Sequence, residues 1–202
     1  MTLLADLFQK WSAPRGSGTG TGTDKGTMHP YTATYERLCG DIRHSVTNVL
    51  ELGVDSGASL AVWADYFPQA DIDGLDITLA NWHLGRDRSR IRAVEGDALR
   101  PPPELLDKTY DVIIDDGSHR PTDQAAAIEV WGPRLAPEGL LIIEDVNATV
   151  YPRVLWLLET TARRMGLEYE VIDLRAPGGL DDDVMVVCRR SLNSNVSHVL
   201  YV

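Results

Sequence analysis

Residues 110–119 read YDVIIDDGSH: a short apolar run, two acids, a glycine and a histidine. Val112-Ile113-Ile114 has no polar residue to turn toward water, the pattern of a strand covered on both faces. Such strands belong to parallel sheets with helices on each side. GLLIIED (139–145) repeats the pattern and ends in Glu144-Asp145. Between the two, PTDQAAAIEVWGPRL (121–135) reads as a helix with Pro at its first position, where a missing N–H costs little.

The same alternation extends in both directions. Upstream, VTNVLELG (46–53), DIDGLDI (71–77) and IRAVEGDA (91–98) read as strands, with SLAVWADYF (59–67) and LANWHLGRD (79–87) as the helices between them. Downstream, YPRVLWLLETTARRMG (151–166) is a long helix closed by Gly, and YEVIDL (169–174) and VMVVCRR (184–190) are two more strands. The link between those two, APGGLDDD (176–183), is too short for a parallel crossover, so they form an antiparallel hairpin. The fold predicted is α/β and Rossmann-like: a mostly parallel seven-stranded sheet with a C-terminal antiparallel hairpin.

Before Pro30 the pattern changes. RGSGTGTGTDKGT (15–27) has no apolar face to bury and reads as a mobile Gly/Thr-rich stretch. From Pro30 the spacing is helical, with Tyr31, Tyr35 and Leu38 on one face. The expected division is an N-terminal segment over 1–28 and one Rossmann-like domain over 29–202.

The chain has 202 residues, enough for one core, and 30 acidic against 19 basic residues give a net charge of -11. That balance speaks against a nucleic-acid partner, which needs a basic footprint. The one dense basic run, Arg86, Arg88, Arg90 and Arg92, reads as a solvated helix end. Cys39 and Cys188 form no C-x-x-C pair and read as reduced and buried in a cytoplasmic protein. No secretory signal pattern and no membrane-length apolar segment is present, so no membrane partner is expected.

In an open α/β sheet, ligands bind beyond the carboxyl ends of the strands. The first strand ends Glu51-Leu52-Gly53-Val54-Asp55-Ser56-Gly57, where glycines permit a tight turn and Ser59 is an added donor. Asp76 follows the second strand, placed for ribose hydroxyls, and Asp97 follows the third, placed for an adenine amine. Asp55 stands where a dinucleotide turn would carry its second Gly, which favours a nucleoside cofactor without a pyrophosphate.

Asp115, Asp116 and His119 follow one strand, and Glu144 and Asp145 follow the next. Carboxylates without thiols suit a hard ion such as Mg²⁺ or Mn²⁺. Histidine is the side-chain type in this cluster that titrates near neutrality and can take a proton from a hydroxyl. The bland alternative makes these acids helix caps and solvated loop residues. The Asp181-Asp182-Asp183 run reads as solvated.

At these residues the chain resembles the bacterial metal-dependent, S-adenosylmethionine-dependent sugar O-methyltransferases, including those acting on macrolide sugars. The matching pieces are TDKGTMHPYTATYERL (23–38), VLELGVDSGASLAVW (49–63), GLDI (74–77), EGDA (95–98), VIIDDGSH (112–119) and LIIEDV (141–146). The resemblance implies a metal held by Asp116, Glu144 and Asp145, with His119 as general base. It implies S-adenosylmethionine near Glu51, Gly53, Ser59, Asp76, Asp97 and Asp115. It also implies a lid from the TDKG segment to Tyr35, with Lys25 and Tyr31 as closing contacts. The acceptor implied is a small glycoside or an oligosaccharide, a methylated mannoside among them, and the resemblance leaves room for a homo-oligomer. A metal-dependent catechol-type methyltransferase and a non-catalytic nucleoside- or carbohydrate-binding protein are the alternatives. An aromatic or apolar slot beside the metal would favour catechol and a polar, open cleft would favour sugar; Trp82, Trp131 and Trp156 are the rings available to either.

Overall fold

A computed structural model describes residues 2–12, 22–177 and 179–190. Seven strands form one sheet in the order β3-β2-β1-β4-β5-β7-β6. They are β1 (Asn48–Leu52), β2 (Asp71–Asp76), β3 (Ile91–Glu95), β4 (Tyr110–Asp115), β5 (Leu135–Ile143), β6 (Glu168–Asp173) and β7 (Val184–Arg189). The first five are parallel; β7 runs antiparallel to both β5 and β6, as the short link between the last two strands requires.

The helices are α1 (Leu3–Lys10), α2 (Thr32–Cys39), α3 (Ala58–Tyr66), α4 (Pro103–Leu106), α5 (Pro121–Trp131) and α6 (Val154–Arg164). Alternate residues of each strand feed two separate cores. Val49, Val112, Ile114 and Ile142 pack with α1, α2 and α3. Leu50, Ile113, Leu141 and Ile143 pack with α4, α5 and α6. This two-sided burial is why the central strands carry unbroken apolar runs. Pro121 opens α5. Gly166 closes α6 at φ +69°, with the Leu167 amide donating back to Ala162, the six-to-one bond of a glycine-ended helix.

Two expectations need correcting. Residues 79–87 form no helix: the segment runs as turns, broken at Gly85 with φ +69°. The basic run after it is also not a solvated helix end. Arg88 donates to Asp65, Arg90 to the carbonyls of Ala64, Phe67 and Ala70 at the end of α3, and Arg92 to Asp73. The second correction concerns the end of the α5 helix, expected to reach Leu135 but ending at Trp131. Leu135 already pairs with Tyr110 in β5, and the register shifts before Val112.

The expected loose N-terminal segment is in part a packed one. Residues 15–21 of the Gly/Thr-rich stretch lie outside the described residues. On its near side, α1 buries Leu4, Leu7 and Phe8, and Phe8 meets Trp63 and Tyr35 edge-on at 5.6 and 6.3 Å. Phe8→Ala should therefore cost about 3–5 kcal/mol of stability, the usual figure for a buried aromatic. Urea unfolding monitored by circular dichroism measures it, and a loss too small to detect would mean that α1 is not part of the core.

Candidate functional site

The parallel strands end on one edge, and a cleft of about 1110 Å³ opens there. That exceeds the roughly 300–1,000 Å³ of a single small-molecule pocket, leaving room for two ligands side by side. One wall carries Gly53, Ser59, Asp76, Asp97 and Asp115 among apolar Leu52, Leu75, Ile77, Ala98 and Leu99. The other end carries Asp24, Thr27, Met28, Asp116, His119 and Asp145.

Asp76 organises the turn after β1: it accepts from the amides of Val54 at 2.7 Å and Asp55 at 3.2 Å, and from Thr78 at 3.1 Å. Gly53 sits at φ +94°, and a side chain there would run into the Asp116 carbonyl. Its glycine therefore lets β1 and β4 end close together, a packing role beside the ligand approach expected of it. Ile77 is 71% exposed on the cleft wall, an apolar surface of the kind a nucleoside covers. Asp97 takes the Leu99 amide at 2.8 Å. Burial pushes the Asp115 carboxyl up to about 7. A line of carboxylates opposite apolar side chains fits a nucleoside that offers hydroxyls and an amine.

Four non-glycine residues among those described have positive φ, and Asp55, His119 and Asp145 of these line the cleft. Backbone held in this region costs of order 1–3 kcal/mol and gathers where function requires it. At this end, Asp116, His119 and Asp145 each offer a ligand atom within 4.8 Å of the others. His119 Nε2 lies 3.8 Å from Asp145 Oδ2 and 4.0 Å from Asp116 Oδ1. Burial first, then the Asp116 charge, pushes the Asp145 carboxyl upward, a repulsion that a cation would relieve. Two hard carboxylates and one imidazole fit a divalent ion.

Glu144, expected as the third metal ligand, is not in that group and does not line the cleft. Its Oε2 is taken by the Lys25 ammonium and its Oε1 by the Tyr35 hydroxyl at 2.7 Å. Glu51, expected beside the cofactor, is also buried behind the cleft wall. It accepts from the Ser59 hydroxyl at 2.7 Å, and burial pushes its carboxyl up to about 7 against the pull of Lys25. Lys25 and Tyr31, expected to close over ligands, lie beneath the cleft floor instead. Lys25 donates to Asp116 Oδ2 at 2.5 Å, and Tyr31 donates to Asp145 Oδ1. Burial opposes the Lys25 charge, but Asp116, Glu144 and Glu51 outweigh it and hold its pKa well above the usual lysine range.

Sequence reasoning missed His29, Tyr35 and Asp183. Asp183, expected in solvent, is buried, and its Oδ1 lies 2.8 Å from His29 Nδ1. His29 also stacks on Tyr31 at 5.0 Å and stands 3.5 Å from Asp145. The signal available was the polar set His29, Tyr31 and Tyr35 following Lys25, at the start of the segment read as helical from Pro30. Of the tryptophans, Trp131 is buried with its indole N–H on the Ala98 carbonyl, Trp82 lies over Gly57, and Trp156 is exposed on α6. None is among the described residues lining the cleft.

Comparison with known proteins fits this geometry. Residues 50–146 match a family described as a methyltransferase domain. The chain is 34% identical over 140 residues to mycinamicin VI 2''-O-methyltransferase of Micromonospora griseorubida, covering 63% of this chain and 34% of the relative. It is 33% identical over 142 residues to 8-demethyl-8-alpha-L-rhamnosyl tetracenomycin-C 2'-O-methyltransferase of Streptomyces olivaceus, covering 65% and 37%. The chain thus spans about a third of the length of these relatives. Among solved structures, the MycE methyltransferase of the mycinamycin pathway, in complex with Mg, SAH and mycinamycin VI, superposes with TM-score 0.67 at 25% identity. That match covers 95% of this chain and 54% of the other. The N-methyltransferase NodS of Bradyrhizobium japonicum shares the fold at TM-score 0.55 and 19% identity, covering 79% of this chain and 93% of the other. Among the described residues, no helix is long and apolar enough to cross a membrane.

The His29 contacts predict a pH dependence. Burial lowers the pKa of His29, but Asp145, Asp183 and Asp24 outweigh it and raise the value above 6.5. A raised folded value means stability that is full below about pH 6.5 and lost as pH rises through the raised value. In metal-free buffer the stability gap between wild type and His29→Gln should be widest in acid and shrink toward alkaline pH. Chemical unfolding across that range measures it, and a constant gap would remove His29 from the account.

Proposed function

We propose, from the premise that this chain is a relative of the bacterial sugar O-methyltransferases with a methyltransferase domain over 50–146, that it methylates a sugar hydroxyl using S-adenosylmethionine. The observation that carries the reading is that one cleft holds both a nucleoside-type wall and the Asp116–His119–Asp145 group. The acceptor is a glycoside or an oligosaccharide, and a methylated mannoside falls within that class.

Asp76 and Asp97 would hold the ribose and adenine of the cofactor, with Gly53, Ser59 and Asp115 around its amino-acid end. When bound, S-adenosylmethionine supplies an electrophilic methyl group whose carbon–sulfur bond breaks as the oxygen–carbon bond forms. Asp116 and Asp145 would hold a divalent ion such as Mg²⁺ or Mn²⁺, which lowers the cost of charge on an oxygen bound to it. His119 sits beside both carboxylates, 40% exposed to the cleft, and accepts the hydroxyl proton at Nε2. Holding oxygen and methyl in line supplies a large part of the rate, on the order of 7–11 kcal/mol in favourable cases.

The acceptor end favours a sugar. Asp24 and Thr27 offer hydrogen bonds and Met28, 52% exposed, offers an adaptable apolar contact for an aglycone. The absence of an aromatic ring among the described cleft-lining residues argues against a catechol slot.

Two measurements test this reading. Asp76→Ala should weaken SAH binding about 10- to 100-fold, the loss expected for hydrogen bonds to a charged group, with the fold intact. Unchanged affinity by calorimetry would reject the cofactor assignment.

The second is turnover. With S-adenosylmethionine and a panel of macrolide glycosides, mannosides and catechols, SAH should be released with sugars and not with catechols. EDTA should stop it and Mg²⁺ restore it. His119→Ala should lower kcat by roughly 10²–10⁴ while SAH still binds. A folded His119→Ala protein with near-normal kcat would end the base assignment, and full turnover in EDTA would end the metal one.

A further inference from the structure

Of the large apolar side chains exposed among the described residues, Met28 and Ile77 line the cleft and Leu3 stands on α1. The other four, Val150, Tyr151, Trp156 and Val171, belong to the β6 side of the sheet, and none of them lines the cleft. There β6 is the end strand, with β7 on one side and no strand among the described residues on the other. Two contacts draw the four together. The Tyr169 hydroxyl of β6 donates to the Leu155 carbonyl, next to Trp156, at 3.0 Å. Arg175, just beyond β6, donates to the Thr149 hydroxyl, next to Val150, at 3.1 Å. Val171 stands on the same face of β6 as Tyr169, because side chains alternate along a strand.

An open strand edge is a template for another strand, and proteins guard it with a bulge, a proline or charge. β6 pairs with β7 without a register shift and carries no proline. Its acids are in part already paired, Glu170 with Arg37 at 3.0 Å and Asp173 with Arg175. The Leu174 amide donates to the Asp183 carbonyl directly opposite, so by alternation the peptide groups of Glu168, Glu170 and Ile172 turn toward β7. Those of Tyr169, Val171 and Asp173 turn outward.

We propose that this edge and the apolar face beside it join a second copy of this chain, β6 against β6 and antiparallel, about a two-fold axis at Val171. A two-fold contact has to be self-complementary, and this register is. Val171 meets its own copy, Tyr169 meets Asp173, Glu170 meets Ile172 and Glu168 meets Leu174. No two like charges stand opposite each other, and every outward-turned peptide group of β6 finds a partner. A register centred on Glu170 would instead set two copies of its carboxylate face to face, which is unfavourable. Tyr151 and Trp156 of each copy flank the seam, and rings of these types are the usual anchors of such contacts.

Sedimentation velocity on the full chain at micromolar concentration should show a dimer. Val171→Asp sets two carboxylates against each other at the axis and should weaken association about 100-fold or more. Val171 is 39% exposed, so circular dichroism of the variant should match wild type. Two further measurements do not depend on that variant. Residues opposed in such a pair have Cα atoms about 5.5 Å apart, within disulfide reach, and the native Cys39 and Cys188 are buried. Oxidation should therefore link Val171→Cys into a covalent dimer and leave Glu170→Cys unlinked. In wild type, amide hydrogen exchange at Tyr169, Val171 and Asp173 should slow as protein concentration rises. A monomeric wild type would overturn the proposal, and slow exchange at those amides in the monomer would give the edge to another segment of the same chain. A dimer that a folded Val171→Asp protein keeps, or one that Glu170→Cys links in place of Val171→Cys, would overturn it as well.

Discussion

The Lys25 ammonium is buried to 2% exposure among three carboxylates, and much of the architecture follows from that one charge. Taking an ion out of water costs several kcal/mol even after relaxation, and the cost is offset only with partners in good geometry. Those partners come from distant segments. Glu51 is the penultimate residue of β1, Asp116 follows β4 and Glu144 follows β5. Their strands are neighbours in the sheet, so the three acids converge only once β1, β4 and β5 have paired in register. The strap of residues 22–35 is therefore held by acids that only the completed sheet brings together, and its Lys25 offsets part of their crowding.

This dependence explains what the sequence let a reader see. Strand positions were legible because Val112-Ile113-Ile114 and Leu140-Leu141-Ile142-Ile143 must face apolar cores on both sides, which leaves a plain compositional mark. The hairpin was legible because an eight-residue link forbids a crossover. The segment 79–87 was misread because its apolar residues mimic a helix, which Gly85 at φ +69° breaks. Arg88, Arg90 and Arg92, just beyond it, find partners on α3, on the turn after it and on β2, and such long-range contacts leave no periodic trace.

The acids were legible as a cluster, but not the direction each faces. Asp115 and Asp116 are adjacent, as are Glu144 and Asp145, and neighbours at a strand end point to opposite sides. Nothing in DD or ED says which member meets the cleft and which meets the strap. Asp145 lines the cleft with φ +53°, whereas Glu144 turns back toward Tyr35. Asp183 was misread for a related reason: in a run of three acids, composition suggests solvent, and only the approach of His29 makes burial affordable.

The strap also divides its residues between two tasks. Thr23, Asp24, Thr27 and Met28 line the cleft, whereas Lys25, His29 and Tyr31 are buried behind it. One segment therefore supplies the wall against which an acceptor would rest and the groups that orient Asp116 and Asp145. An acceptor pressing on Asp24 or Met28 pushes on a chain whose next residues hold those carboxylates. Because Lys25 and Tyr31 are fixed by contacts with acids at the ends of three strands, that push would meet a braced element rather than a free loop. On the proposed function, acceptor fit and carboxylate orientation would share one mechanical support, so an acceptor that displaced the strap would also disturb Asp116 and Asp145.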